Sequence, residues 1–174
     1  MEFNLERSIS LLEATPRVIR AWLNPLPLEL IFCNEGEDTW SPFDVVGHLI
    51  HGEKTDWIPR AEIILSERED KEFISFDRFA MFTENEGKSF HDLVSEFEDL
   101  RRQNIELLRS MDLSEADMNK TGEHPELGIV TLRQLVSTWV THDLNHLAQI
   151  SEIMARQHEG QVGPWIEYLG ILRP

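Results

Sequence analysis

Cysteine is nearly absent: Cys33 is the only one in 174 residues. One cysteine excludes an intrachain disulfide and a cysteine-rich zinc site, and it fits a reducing compartment. No basic neighbour in the sequence would lower its pKa, so Cys33 reads as a partly buried small residue in a loop, not a nucleophile. Positive charge is also scarce. Lys and Arg number 16 against 32 Asp and Glu, a formal net charge of -16. A nucleic-acid binder needs a basic footprint, and none is present. Arg101-Arg102, the only adjacent basic pair, lies among glutamates and reads as a solvated helix face. Long apolar runs are missing too. Met1 to Glu6 is acidic and interrupted, unlike a signal peptide, and no later stretch is long enough to span a bilayer. These absences give the expectation of a soluble cytoplasmic protein with no nucleic-acid or membrane partner. Internal repeats, low-complexity tracts and convincing runs of alternating strand residues are absent as well.

What remains is an average hydrophobic content, 41%, in a chain of a length that suits one domain over residues 1–174. Four long helical patterns fill it. Leu5, Ile9, Leu12, Pro16, Ile19 and Leu23 follow a four-three spacing, with a kink or restart expected at Thr15-Pro16. Ser41-Pro42-Phe43-Asp44 opens a second helix: Ser41 suits an N-cap, Pro42 a first helical position, and Asp44 the positive helix end. It runs to about Leu65, with Pro59 as a kink or restart. Ser66 to Lys88 is long for a connection and is expected to be a lid, a short extra helix or a crossover. Phe73, Phe76, Phe79 and Phe82 recur there every three residues and are expected to pin it to the bundle. A third helix spans Ser89 to about Met111-Asp112, and Leu113 to Val130 reads as loop. Thr131 with Gln134 forms a capping box for a fourth helix that continues to about Gln157. A short C-terminal helix follows from Pro164 to Leu172. The fold class is all-α, a four-helix bundle with a long crossover.

The chemistry concentrates in Thr141-His142-Asp143-Leu144-Asn145-His146. Residues four apart stack on one helix face, so His142 and His146 can grip one ion from a rigid support. A third ligand is needed, because a catalytic site usually has three protein ligands and one open position. The helical wheel offers His48 weakly, at the edge of the apolar stripe of the second helix. His51 points further round, His91 falls in a first turn, and His124 lies in a loop that could reach the site mouth. His158 is near a helix end. The run His142 to His146 also differs by one methylene from the H-E-x-x-H pattern of zinc proteases, with Glu167 as a distant third ligand. The longer pattern wants Gly at 149 and His at 152, where the chain has Gln149 and Glu152. No substrate-aligning strand supports that alternative.

The chain resembles the DinB/YfiT-like family. The first half of the resemblance lies in Trp40-Ser41-Pro42, Val46-Gly47-His48-Leu49 and Glu53 to Arg60. The second lies in Gly122-Glu123-His124-Pro125, Gly128 to Leu132, Trp139, His142-Asp143 and His146-Leu147-Ala148-Gln149-Ile150. It implies a four-helix bundle, often dimeric, with a divalent ion held by His48, His142 and His146. The implied ion is nickel or zinc, with iron also compatible with three imidazoles. The implied function is a metal-dependent enzyme, a hydrolase or a transferase acting through a low-molecular-weight thiol. Glu53 and Asp143 would orient a ligand imidazole or move a proton, or else serve as surface or capping carboxylates. Trp57, Trp139 and Phe79 would line a pocket or pack the core. The alternative is a non-enzymatic, metal-stabilised dimer acting as a binding or stress-response module.

Overall fold

The computed structural model describes residues 2–173. Helix α1 (Leu5–Leu23) begins where the Asn4 side chain accepts the Arg7 N–H. It runs through Pro16 without the expected restart. Proline has no N–H, so the carbonyl four residues back loses its helical donor. That carbonyl belongs to Leu12, and it accepts a hydrogen bond from Arg101 Nη1 at 2.8 Å instead. A short α2 (Leu28–Ile31) precedes α3 (Pro42–Thr55), which opens on a capping box of Ser41 and Asp44 with Pro42 at its start. The helix breaks at Asp56 and restarts as α4 (Trp57–Leu65). Pro59 therefore sits in a first turn, where a missing N–H costs no helical bond.

Residues 66 to 89 form the crossover, mostly without regular secondary structure, with one short helix, α5 (Ala80–Glu84). Of its phenylalanines, Phe73 is buried as expected. Phe79 and Phe82 do not pin the segment: they are exposed and stack on each other at 6.4 Å. Helix α6 (Phe90–Ser110) starts on a second capping box, Ser89 with Asp92, and α7 (Leu132–Arg156) on a third, Thr131 with Gln134. One expectation is corrected. The stretch read as loop contains an antiparallel hairpin, β1 (Thr121–His124) and β2 (Gly128–Thr131), with Gly122 opposite Val130. The short C-terminal helix is present as two 3₁₀ segments, Gly163–Tyr168 and Gly170–Leu172. The crossover attaches to the hairpin through Phe73 N–H to the Glu123 carbonyl, 2.8 Å, and Glu123 N–H to the Lys71 carbonyl, 2.9 Å.

In the bundle, α1 packs on α6 and α7, and α3 with α4 packs on the same two helices. The apolar interior is split. One cluster joins Leu12, Trp57, Ile105, Leu132 and Trp139; the other joins Ile19, Ile50, Phe97, Leu93 and Ile150. Between them lies a buried polar waist: Thr15 on α1, His48 and Glu53 on α3, Arg101 and Asn104 on α6, Asp143 and His146 on α7. The reading of Arg101-Arg102 as one solvated face is half wrong. Arg102 is exposed and pairs with Asp99 and Glu106, whereas Arg101 is 2% exposed. Its guanidinium bonds Asp143 at 2.6 and 3.0 Å and Glu53 at 2.8 Å, and it stacks on Phe97 and Trp139. A charge can be buried only with partners of this kind. Among the described residues, no helix is long and apolar enough to cross a membrane.

Candidate metal centre

The waist opens at one point, where α3 and α7 face each other. Helix α3 supplies His48 and α7 supplies His142 and His146. The Nε2 atom of His142 lies 3.0 Å from Nε2 of His48 and 3.1 Å from Nε2 of His146. The three form a group whose ligand atoms all fall within 4.8 Å of one another. An ion held by imidazole nitrogens at about 2.0–2.1 Å separates neighbouring donors by roughly 3 Å, so the spacing fits a single ion.

The rings are held in the state that ligation needs. Burial, then the neighbouring imidazoles, push His48 and His142 down to about 3, and burial also lowers His146. All three are neutral at pH 7, as metal ligands must be. His146 Nδ1 bonds Gln149 Oε1 at 2.7 Å. An amide oxygen only accepts, so with the Gln149 amide oriented this way Nδ1 carries the proton and Nε2 presents its lone pair. Aromatic rings hold the other two imidazoles. Trp40 lies 4.9 Å from His48, Phe76 meets it edge-on at 5.3 Å, and Trp57 meets His142 edge-on at 5.1 Å. Among the described residues, the Nδ1 atoms of His48 and His142 are buried without a partner.

The three histidines lie on the wall of an open cleft of about 1370 Å³. It is also lined by Trp40, Trp57, Phe76 and Phe79. Trp139 is in the core, stacked on Trp57 at 5.7 Å. The remaining histidines are placed elsewhere. His51 is buried with Nδ1 3.1 Å from Glu84, which ties α3 to α5. His91 and His158 are exposed. His124 stands on the cleft, but its Nδ1 accepts the N–H groups of Glu126 and Leu127 in the hairpin turn. Glu167 is exposed and outside the group.

Glu53 and Asp143 are neither surface nor capping residues, and neither bonds an imidazole. Both bind Arg101 behind the histidines. Glu53 also accepts from Trp139 Nε1 at 3.0 Å and from Asn104 Nδ2 at 3.0 Å. Burial raises the Glu53 carboxyl, against the pull of Arg101. Arg101 is the partner that sequence reasoning missed, although it lies four residues after Phe97 and four before Ile105, within the apolar stripe of α6. Cys33 donates to the Leu30 carbonyl and burial raises its thiol, the opposite of an activated nucleophile.

A family model described as the DinB superfamily matches residues 11–150. Among solved structures, the chain is similar to YfiT from Bacillus subtilis, described as a probable metal-dependent hydrolase with an unusual four-helix bundle topology. The two share 20% identity and a TM-score of 0.72, over 87% of this chain and 86% of that one. No curated protein matches the chain.

Proposed function

Because the chain belongs to the DinB superfamily, we propose that it is a metal-dependent hydrolase whose divalent ion is held by His48, His142 and His146. The observation that carries this reading is the convergence of three Nε2 atoms at the wall of an open cleft. Catalytic metal sites keep a position free for water or substrate, whereas structural sites close around four ligands. The similar YfiT structure, described as a probable metal-dependent hydrolase, supports the same class. A bound divalent ion would supply Lewis acidity, lower the pKa of a bound water to near neutrality and deprotonate a bound thiol outright. A thiol-dependent transferase would use the same centre. Three neutral imidazoles accept zinc, nickel or iron.

The chain's own part is preorganisation. Gln149 fixes the proton of His146 on Nδ1. Trp40, Phe76 and Trp57 pack His48 and His142, so that their Nε2 atoms keep one direction. The Arg101 cluster joins α3 to α7 directly behind the ligands. The test is elemental analysis of protein purified without a histidine tag, alongside hydrolysis of a panel of simple esters and amides. One ion per chain is expected. Each His→Ala change at 48, 142 or 146 should weaken metal affinity by more than the roughly 10–100-fold typical of losing a partner behind a ligand. Ester or amide cleavage should disappear on chelation and return with metal. Full metal content in the triple variant, or cleavage indifferent to chelation, overturns the reading. A chain that binds the ion tightly but cleaves neither panel nor thiol conjugates would instead be the metal-stabilised binding module.

A further inference from the structure

The same cleft carries an unusual pair of cations. Arg60 and Arg78 are its only Arg or Lys lining residues, in a chain with twice as many acids as bases. Arg60 is 7% exposed and built in. It stacks over Phe73 at 5.3 Å, and its Nη2 lies 2.7 Å from Asp56 and 3.5 Å from the Ile74 carbonyl. Its other N–H groups have no acceptor among the described residues. They are also absent from the buried unpaired atoms, so they reach the solvent of the cleft. Arg78 makes no ion pair or hydrogen bond among the described residues, and its charge is felt at His48. The cleft carboxylates, by contrast, are engaged. Asp44 caps α3, Asp56 holds Arg60, and Glu35 and Glu152 both hold Arg156. Among the described residues, Asp38 is the one cleft carboxylate with no side-chain partner.

Each cation neighbours the histidines through an aromatic ring. Arg60 lies three residues beyond Trp57, hence on the same face of α4, and Trp57 abuts His142. Arg78 lies in the crossover between Phe76, which abuts His48, and the exposed Phe79. A guanidinium with one edge taken and the other open matches a planar carboxylate. Arg60, Arg78 and Asp56 together carry one net positive charge, which a singly charged carboxylate neutralises. The exposed aromatic ring of Phe79 offers an apolar surface to the rest of the molecule.

We infer that this cleft selects a substrate bearing a carboxylate on an apolar or aromatic body, anchored by Arg60 and Arg78 beside the three-histidine centre. This rests on the hydrolase reading for the word substrate, but the anchoring itself needs no metal. The test is therefore binding of benzoate, benzamide and phenylphosphate to chelator-treated protein at pH 7.5, followed by NMR. Benzoate should bind about tenfold tighter than its neutral isostere benzamide, the margin of one charge-assisted contact. The Arg60 side-chain Nε–H resonance should shift with benzoate alone. Arg78→Gln, on an exposed residue, should remove part of that preference. Arg60→Gln with Asp56→Asn, which leaves no carboxylate unpaired, should remove most of it. Equal affinity for benzoate and benzamide, or an unchanged preference in both variants, overturns the assignment; tighter phenylphosphate binding overturns the choice of carboxylate. Uptake of added zinc or nickel by the same protein separates the two readings: benzoate selectivity in a chain that takes up no ion sinks the hydrolase and leaves the anion site standing.

Discussion

Arg101 shows how one residue can set the geometry of the site without touching it. Its guanidinium is shared by Glu53 of α3 and Asp143 of α7, and it also caps the Leu12 carbonyl that Pro16 leaves open in α1. Four helices thus meet on one side chain. Removing a single partner from a buried ionic cluster leaves charge uncompensated and costs about 3–5 kcal/mol, whereas replacing the whole cluster by apolar residues is often neutral. Arg101→Met should lower stability by that amount, read as a fall in the urea midpoint at constant slope. The triple change Arg101→Met, Glu53→Met, Asp143→Leu should recover only part of it, because the Leu12 carbonyl, Trp139 Nε1 and Asn104 Nδ2 then lack the partners they have now. A single variant as stable as the parent would mean that the cluster is not ionised as drawn. The sequence hid this residue because an Arg-Arg pair among glutamates has the composition of a solvated face, and only its position in the α6 stripe distinguishes Arg101 from Arg102. His142 and His146 were legible for the opposite reason, since their four-residue spacing is itself geometric. His48 sits at the edge of its stripe, so its place came from the family resemblance; the cleft with Arg60 and Arg78 depends on the crossover, whose course no local pattern encodes.

Helices with capping chemistry were readable as elements. Thr131 with Gln134 forms the reciprocal bonds that its sequence announces, and Ser41, legible as an N-cap, forms a capping box with Asp44 as well. The hairpin was not readable, because strands of four residues are too short to show alternation, and Gly122 and Gly128 look like loop. Its strands exist through tertiary pairing: β1 bonds β2 on one side and the crossover backbone at Lys71 and Phe73 on the other. Gly122 marks the tightest point. A Cβ there would lie 2.5 Å from Phe73 Cε1 and 3.0 Å from Ile64 Cγ1. Both neighbours are buried, and Phe73 also supports Arg60. Gly122→Ala should therefore destabilise by about 1–3 kcal/mol, the usual cost of overpacking. It should also displace Phe73, and amide exchange should quicken first in residues 71–73 and 121–131. A variant of parental stability with unchanged exchange there would show that the hairpin yields without disturbing the cleft wall.

At the scale of the molecule, the split core sets how metal and protons act on stability. Each apolar cluster is anchored by residues from several long helices, so the fold does not depend on an ion to close its interior. Metal-free protein should stay folded, unlike domains that exist only in the metal-bound form. Its stability should nevertheless depend on pH through the histidines of the waist. His48 and His142 are held near 3 in the fold, against an ordinary value of 6.5. Between those values the unfolded chain binds protons that the folded chain refuses, so stability rises with pH across that window. It is complete above about pH 6.5 and falls as pH drops toward 3, by at most about 1.4 kcal/mol per pH unit for each histidine. Urea midpoints of chelator-treated protein from pH 7.5 to 5.5 test this above the range of ordinary carboxylates. The double variant His48→Gln, His142→Gln should show a clearly shallower slope than the parent. Glu53, raised by burial, contributes with the opposite sign but equally to both proteins, and so drops out of the comparison. Equal slopes would mean that the two imidazoles are not held neutral by the waist, and the readiness of the centre for a cation would lose its physical basis.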